Sequence, residues 1–179
     1  MNIADYIRTV PDYPVPGVNF YDMNSLFASP IWNEVAYNLT ELVHNSDTGF
    51  ITHIAGIESR GFVVGTAVAY ELAKPMVMIR KKGSKYPGKL LEETYELEYG
   101  TDTLVLQEGI LGHTSRVLIM DDLVATGGSV IATKKLIEQT GATVVGCATL
   151  VNLKYLNTSE LGDIKMLSMY NALRQEGTW

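Results

Sequence analysis

Residues 117–129 read VLIMDDLVATGGS and constrain the fold more than any other part of the chain. The first four residues are all apolar, which is typical of a strand buried on both faces of a parallel sheet. Asp121 and Asp122 follow directly, and we expect the chain to turn where these carboxylates begin. Because ligands of open α/β sheets bind at the carboxyl ends of strands, both carboxylates are predicted to face a binding crevice.

A glycine-rich turn, ATGGS at residues 125–129, leads from the carboxylates into an amphipathic stretch. Gly127 and Gly128 let the backbone approach a ligand closely, while Thr126 and Ser129 add hydroxyl groups beside the amides that open a helix. Such amides bind anions, so the turn predicts a phosphate site. A sugar phosphate would satisfy both the carboxylates and the turn. The alternative without a ligand is a helix N-terminus with capping acids. Neither the P-loop motif nor a G-x-G-x-x-G motif after a strand occurs.

The bulk properties favour one soluble α/β domain over residues 1–179. The chain is long enough to bury its own core, 46% of its residues are hydrophobic, and no apolar span reaches membrane length. Its first residues do not form a signal peptide, so we expect a cytoplasmic enzyme. The formal net charge of −6 argues against nucleic acid as a partner. The single cysteine, Cys147, lies in an apolar run and is predicted to be buried and inert.

Positive charge is concentrated in one loop, which interrupts the apolar pattern. Arg80, Lys81, Lys82, Lys85 and Lys89 fall within ten residues that also contain two glycines and a proline. Such a loop is commonly a solvated turn. A ligand carrying pyrophosphate would give these cations a function.

The remaining pattern predicts a doubly wound, mostly parallel sheet with flanking helices. We expect helices at 2–9, from about 31 to 42, at 61–72 and at 129–140, and strands at 50–55, 76–79, 117–120, 143–151 and 164–169. Residues 81–103 break the alternation with charge, glycine and tyrosine, and are predicted to form a hairpin or a flexible flap over the site. Residues 1–30, with their prolines, are predicted to form a small hood.

Residues 117–129 resemble the phosphoribosyl pyrophosphate (PRPP) motif of type I phosphoribosyltransferases. Four further segments resemble the adenine phosphoribosyltransferase family and follow its order along the chain: PDYPVPGVNFYD at 11–22, AGIESRGF at 55–62, RKKGSKYP at 80–87 and YELEYG at 95–100. The resemblance implies the type I phosphoribosyltransferase fold, with hood and flap, and the transfer of phosphoribosyl from PRPP to adenine. It also implies Mg²⁺ as cofactor, held mainly through PRPP and water with Asp121 and Asp122 nearby, a homodimer, and a cis peptide between Glu58 and Ser59.

The residues and the resemblance together define the candidate site. The catalytic candidates are Glu98, Tyr99, Asp121 and Asp122. The candidates for substrate contacts are Asn19, Tyr21, Glu58, Ser59, Arg60, Arg80, Lys81, Lys85, Ala125, Thr126, Gly127, Gly128 and Ser129. Arg60 is expected to meet phosphate oxygens, and its alternative is a surface ion pair with Glu58. Glu98 and Tyr99 would close over the base. The alternative interpretation is that they belong to an ordinary exposed hairpin without a catalytic role.

Departures from the family pattern bear on the choice of base, through Tyr21, and on the geometry of the flap, through Ser84. Tyr21 stands where the family has an arginine that frames the purine, and Ser84 is an additional residue in the basic loop. Tyr21 could stack on the base or pack the hood against the core. Hypoxanthine-guanine or xanthine transfer therefore remains an alternative to adenine transfer. A PRPP-sensing regulator without catalysis is a third reading, although the chain shows no DNA-binding module beside the transferase pattern.

Overall fold

The structure is a computed structural model that describes residues 2–96 and 100–173. The strands in these ranges are β1 (Arg8–Val10), β2 (Phe20–Asp22), β3 (His53–Ile57), β4 (Met76–Lys81), β5 (Leu90–Glu96), β6 (Thr101–Gln107), β7 (Arg116–Val124), β8 (Thr143–Leu153) and β9 (Met166–Ala172). The helices are α1 (Met23–Phe27), α2 (Trp32–His44), α3 (Arg60–Glu71) and α4 (Gly128–Glu138). Short 3-10 segments cover Ile3–Tyr6, Lys154–Leu156 and Ser159–Asp163.

Among the described residues, a seven-stranded sheet has the order β5-β6-β4-β3-β7-β8-β9. Strands β4, β3, β7, β8 and β9 pair in parallel, and the β5–β6 hairpin joins them antiparallel through β6. Because side chains alternate across a strand, consecutive residues of β7 pack into two hydrophobic cores, one on each face of the sheet. Leu118 and Met120 pack with α2 and α3, whereas Val117 and Ile119 pack with α4 on the other face. The predicted doubly wound, mostly parallel sheet with flanking helices is confirmed.

The predicted helix at 2–9 is wrong. Only a 3-10 turn forms at Ile3–Tyr6, after which β1 pairs antiparallel with β2. Ile3 and Ile7 are buried in the core under α2, and the amide of Arg8 donates to the hydroxyl of Ser25 at 2.9 Å. These tertiary contacts, together with the strand pairing, override a weak local preference for helix.

The strand predicted at 50–55 lies three residues further along the chain, and Phe50 is exposed. Strand β7 is also longer than predicted, because it continues through Val124 instead of turning at the carboxylates. Its ladder with β8 extends to Val124, opposite Asn152. Backbone pairing along a long neighbouring strand thus carries Asp121 and Asp122 inside β7, and the turn follows them.

The remaining predicted elements lie close to the observed ones. The 81–103 segment contains β5 and leads into β6, so the expected hairpin is present and continues the central sheet. Cys147 is fully buried, as predicted, and burial raises the pKa of its thiol. In the described ranges, no helix has the length and apolar character needed to cross a membrane.

Candidate functional site

A cleft of about 240 Å³ lies at the carboxyl ends of β3 and β7. Its wall brings together most of the residues predicted from the sequence: Glu58, Ser59, Arg60, Lys81, Asp121, Asp122, Ala125, Thr126, Gly127, Gly128 and Ser129. Arg80 and Lys85 are not among the residues that line it. Glu98 and Tyr99 fall outside the described residues, so their roles stay predictions.

The turn between β7 and α4 has the geometry of an anion site. Gly127 has a φ of 91°, which a side-chain-bearing residue adopts only with strain, and it immediately precedes α4. A Cβ at this position would lie 2.8 Å from a methyl carbon of Leu161. The turn therefore needs glycine for both its backbone and its packing. Gly128 and Ser129, at the start of α4, line the cleft, and the Gly128 amide donates to the Thr126 hydroxyl at 3.4 Å.

The segment after β8 holds this turn in place. The side-chain amide of Asn157 donates to the carbonyl of Ala125 at 2.6 Å and to that of Leu153 at 3.3 Å. The backbone amide of Thr158 donates to the carbonyl of Thr126 at 3.1 Å. Sequence reasoning missed Asn157, because no motif or periodicity marks the segment in which it lies.

The two carboxylates of β7 differ in their surroundings. Asp122 is almost fully buried, and its Oδ2 lies 3.0 Å from the Nε of Arg60. Asp121 is less buried, and its Oδ1 accepts the backbone amide of Asp122 at 3.0 Å. Burial, followed by the charge of Asp122, raises the pKa of Asp121 well above its ordinary value. Burial also raises the pKa of Asp122, while the charge of Arg60 opposes this.

Arg60 therefore pairs with Asp122 and not with Glu58, the partner considered from the sequence. It also connects the cleft with the hood, since its guanidinium lies 5.6 Å from the Phe20 ring centroid and donates to the Tyr21 carbonyl at 3.4 Å. A single cation thus contacts a cleft carboxylate and the hood.

Glu58 organises the basic loop instead of pointing a free carboxylate into the cleft. Its Oε2 accepts the Lys81 amide at 2.8 Å, the Arg80 Nε at 3.4 Å and the Ser84 hydroxyl at 3.1 Å. Burial raises the pKa of Glu58, but these donors lower it more, and the net pKa lies below its ordinary value. The additional residue Ser84 is thereby integrated into the loop. The peptide between Glu58 and Ser59 is cis, as the resemblance implied.

A second cavity, of about 310 Å³, lies between the hood and the end of β8. Its lining is Gly17, Val18, Asn19, Phe20, Tyr21, Arg60, Leu123, Ala125, Leu153, Tyr155 and Leu156. Asn19 and Tyr21 were singled out from the sequence, whereas Tyr155 and Leu156 were not. Tyr21 is only 8% exposed and belongs to the core packed on α2, which favours the packing reading of this side chain.

The cleft and the cavity share walls at Arg60, Leu123 and Ala125. One side offers carboxylates, cations and helix amides, which suit a sugar carrying phosphate groups. The other side is mainly apolar and aromatic, which suits a flat heterocycle. The arrangement can therefore hold a phosphorylated sugar and a base side by side.

In sequence and in fold, the chain is similar to known phosphoribosyltransferases. The family model described as phosphoribosyl transferase domain matches residues 24–168. The chain is 44% identical to the adenine phosphoribosyltransferase of Rhodospirillum rubrum over 161 residues, which covers 89% of this chain and 92% of the relative. The crystal structure of adenine phosphoribosyltransferase from Rhodothermus marinus superposes with a TM-score of 0.81 at 38% identity, covering 94% of this chain and 96% of that one. The Giardia lamblia enzyme complexed with 9-deazaadenine gives a TM-score of 0.85 at 31% identity, covering 97% and 99%.

Proposed function

Because this chain belongs to the phosphoribosyl transferase domain family, we propose that it transfers the 5-phosphoribosyl group of PRPP to N9 of adenine, in purine salvage. The bond from C1′ to pyrophosphate breaks and a bond from C1′ to N9 forms, which gives AMP and pyrophosphate. The observation that carries the proposal is the junction at Arg60 between a polar, phosphate-binding cleft and an apolar cavity. The names of the relatives support adenine as the base.

The cleft residues divide among the parts of PRPP. The turn at residues 125–129 binds the 5′-phosphate through helix amides. Asp121 and Asp122 accept hydrogen bonds from the ribose hydroxyls and stabilise positive charge that develops at C1′. Ser59, Arg60 and Lys81 bind the pyrophosphate, and Arg60 exchanges its contact with Asp122 for phosphate oxygens.

The base occupies the cavity beneath the hood. Asn19 lines this cavity from the hood, and Tyr155 and Leu156 line it from the segment after β8. Adenine stacks on these aromatic and apolar groups. Glu98 and Tyr99, outside the described residues, are proposed to assist the proton at the imidazole edge and to cover C1′ during reaction.

The donor set fits a Mg²⁺ ion that arrives with PRPP. Among the described residues, no group of three or more His, Cys, Asp or Glu side chains forms a closed metal site. Asp121 and Asp122 would hold the hydration shell of this ion, which would supply positive charge against the leaving pyrophosphate. Arg80 and Lys85, which do not line the cleft, are proposed to act on the pyrophosphate of a neighbouring subunit.

We propose a homodimer, as the resemblance implies. The exposed apolar side chains of Val63 and Tyr70 on α3 and of Met78 on β4 support an interface on this side of the molecule. Light scattering after size-exclusion chromatography tests it: a mass twice that of the 19.7 kDa chain is expected, and a monomer at micromolar concentration would contradict it. The cytoplasmic location stays a prediction.

The decisive experiment supplies PRPP and Mg²⁺ with adenine, hypoxanthine, guanine or xanthine, and resolves the nucleotide products by chromatography. AMP should form much faster than IMP, GMP or XMP. Faster formation of IMP or GMP would show that another purine is the preferred substrate of the same type of reaction. PRPP binding without turnover of any base would favour a sensing protein.

A further inference from the structure

Lys81, Tyr95 and Asp102 form a cluster where the β5–β6 hairpin meets the end of β4. The Lys81 Nζ lies 3.0 Å from Asp102 Oδ2, and the Tyr95 hydroxyl lies 3.5 Å from the same oxygen. Lys81 and Tyr95 line the polar cleft, and Asp102 is not part of its wall. The Asp102 carboxylate, which does not line the cleft, thus pairs with Lys81, which does.

The Lys81 backbone is fixed independently of Asp102. Its amide donates to Glu58 at 2.8 Å, and the residue pairs with Leu104 in β6. The next amide, that of Lys82, donates to the Thr103 carbonyl at 2.8 Å. Only the Lys81 side chain, which is 52% exposed, is therefore free to change partner.

Asp102, in contrast, has little freedom. Its second oxygen accepts the Thr103 amide at 2.8 Å, and its side chain is 22% exposed. Tyr95, its partner across the hairpin, packs against the start of α4, where a Cβ at Gly128 would lie 3.3 Å from the Tyr95 ring. The carboxylate stays in place while the flexible lysine can turn towards the cleft.

We propose that Asp102 is a positioning residue that competes with pyrophosphate for Lys81. In this structure, the Asp102 carboxylate pairs with the ammonium group and neutralises it at the cleft wall. When pyrophosphate binds, the ammonium turns to the phosphate oxygens and Asp102 keeps only its Tyr95 and Thr103 contacts. Asp102 therefore weakens the binding of pyrophosphate to the cleft, and this favours the release of pyrophosphate after transfer. This inference rests on the proposed function, because it requires pyrophosphate in the cleft.

The test is Asp102→Asn, which keeps the side-chain shape and removes the charge. Ion pairs of this exposure are weak, so Mg²⁺-pyrophosphate should bind about two- to fivefold more tightly by calorimetry. The KM for PRPP should fall by a similar factor, and the KM for adenine should not change. Asp102→Thr, which suits a strand, repeats the test if the asparagine variant folds poorly.

The matched control is Glu108→Gln, which removes an equal charge from another lysine pair at the far end of the hairpin. Glu108 lies 2.9 Å from the Lys89 Nζ, and neither residue lines the cleft. Pyrophosphate affinity should be unchanged in this variant. An equal gain in pyrophosphate affinity in Glu108→Gln would show a general effect of net charge and overturn the inference.

The double variant Lys81→Met with Asp102→Asn decides whether Asp102 acts through the lysine. Its affinity should equal that of Lys81→Met alone. A persistent gain from Asp102→Asn in this background, or weaker pyrophosphate binding in Asp102→Asn itself, overturns the inference while leaving the transfer reaction intact. If the wild-type protein does not bind pyrophosphate and makes no AMP, the proposed function fails and this inference falls with it.

Discussion

Replacing Gly61 by alanine should push helix α3 away from strand β7 where both carry functional side chains. A Cβ at Gly61 would lie 2.8 Å from the Met120 carbonyl oxygen and 3.0 Å from Asp121 Oδ1. These distances are shorter than ordinary carbon–oxygen contacts. The Met120 carbonyl belongs to the backbone of a central strand, so it cannot turn aside as the end of a side chain could. The helix has to move instead, and Arg60 moves with it.

The expected magnitude follows from two opposing terms. Overpacking a close contact costs about 1–3 kcal/mol, and replacing glycine by alanine in a helix recovers about 0.5–1 kcal/mol. We expect a net loss of up to about 2.5 kcal/mol in the free energy of unfolding, or up to roughly 10 °C in Tm. Since small displacements of catalytic groups are costly, kcat/KM should fall on the order of tenfold or more.

Gly65→Ala, one turn further along α3, is the matched control. Its added Cβ would meet the Met76 side chain, with Cε at 2.9 Å and Sδ at 3.2 Å, and this flexible chain end can move. Tm and kcat/KM should stay close to wild type. Melting curves and steady-state kinetics with adenine and PRPP measure both variants. Wild-type kinetics for Gly61→Ala, or equal damage in the two variants, would refute the reasoning.

Three further changes have distinct expected outcomes. The raised pKa of Asp121 means that the folded protein holds this proton more tightly than the unfolded chain, so stability falls as pH rises above the ordinary aspartate pKa. Asp121→Asn should therefore raise Tm at pH 7 while costing about 1.5–3 kcal/mol in transition-state stabilisation, and a lower Tm would contradict this. Tyr21→Ala should cost about 3 kcal/mol of stability and raise both KM values alike, whereas an increase confined to adenine would show a direct base contact. Asn157→Ala should raise the KM for PRPP by a factor corresponding to about 0.5–1.5 kcal/mol. Asn157→Asp should have the same effect, because it also loses the hydrogen-bond donor. A change in Tm without a change in this KM would contradict a positioning role.

The polar cleft was largely predictable because its parts are local in sequence. The turn at 125–129 follows a buried strand and opens a helix, and residues 58–59 do the same between β3 and α3. In both cases the strand, the turn and the helix lie within one short stretch of chain. Their composition therefore predicts the fold and the ligand class together.

Other features depend on contacts between distant segments. Asn157 acts on the turn only because the chain returns there after β8, and Lys81 meets Asp102 only through the pairing of β4 with β6. Strand β7 runs past Asp121 because β8 pairs with it up to Val124, although carboxylates are poor strand formers. No periodicity in a single segment reveals such partners.

The cavity beneath the hood takes most of its lining from residues 17–21 and 153–156, which lie far apart in the chain. The turn at 125–129 and the carboxylates before it lie instead in one stretch that runs from β7 to the start of α4. Contacts between such remote segments form late, because the loop between them must close first. During synthesis, the turn at 125–129 can therefore form before the segment that completes the second cavity has been made. Under the proposed function, substitutions in the hood or after β8 should change the preferred heterocycle without altering the strand and turn at residues 117–129.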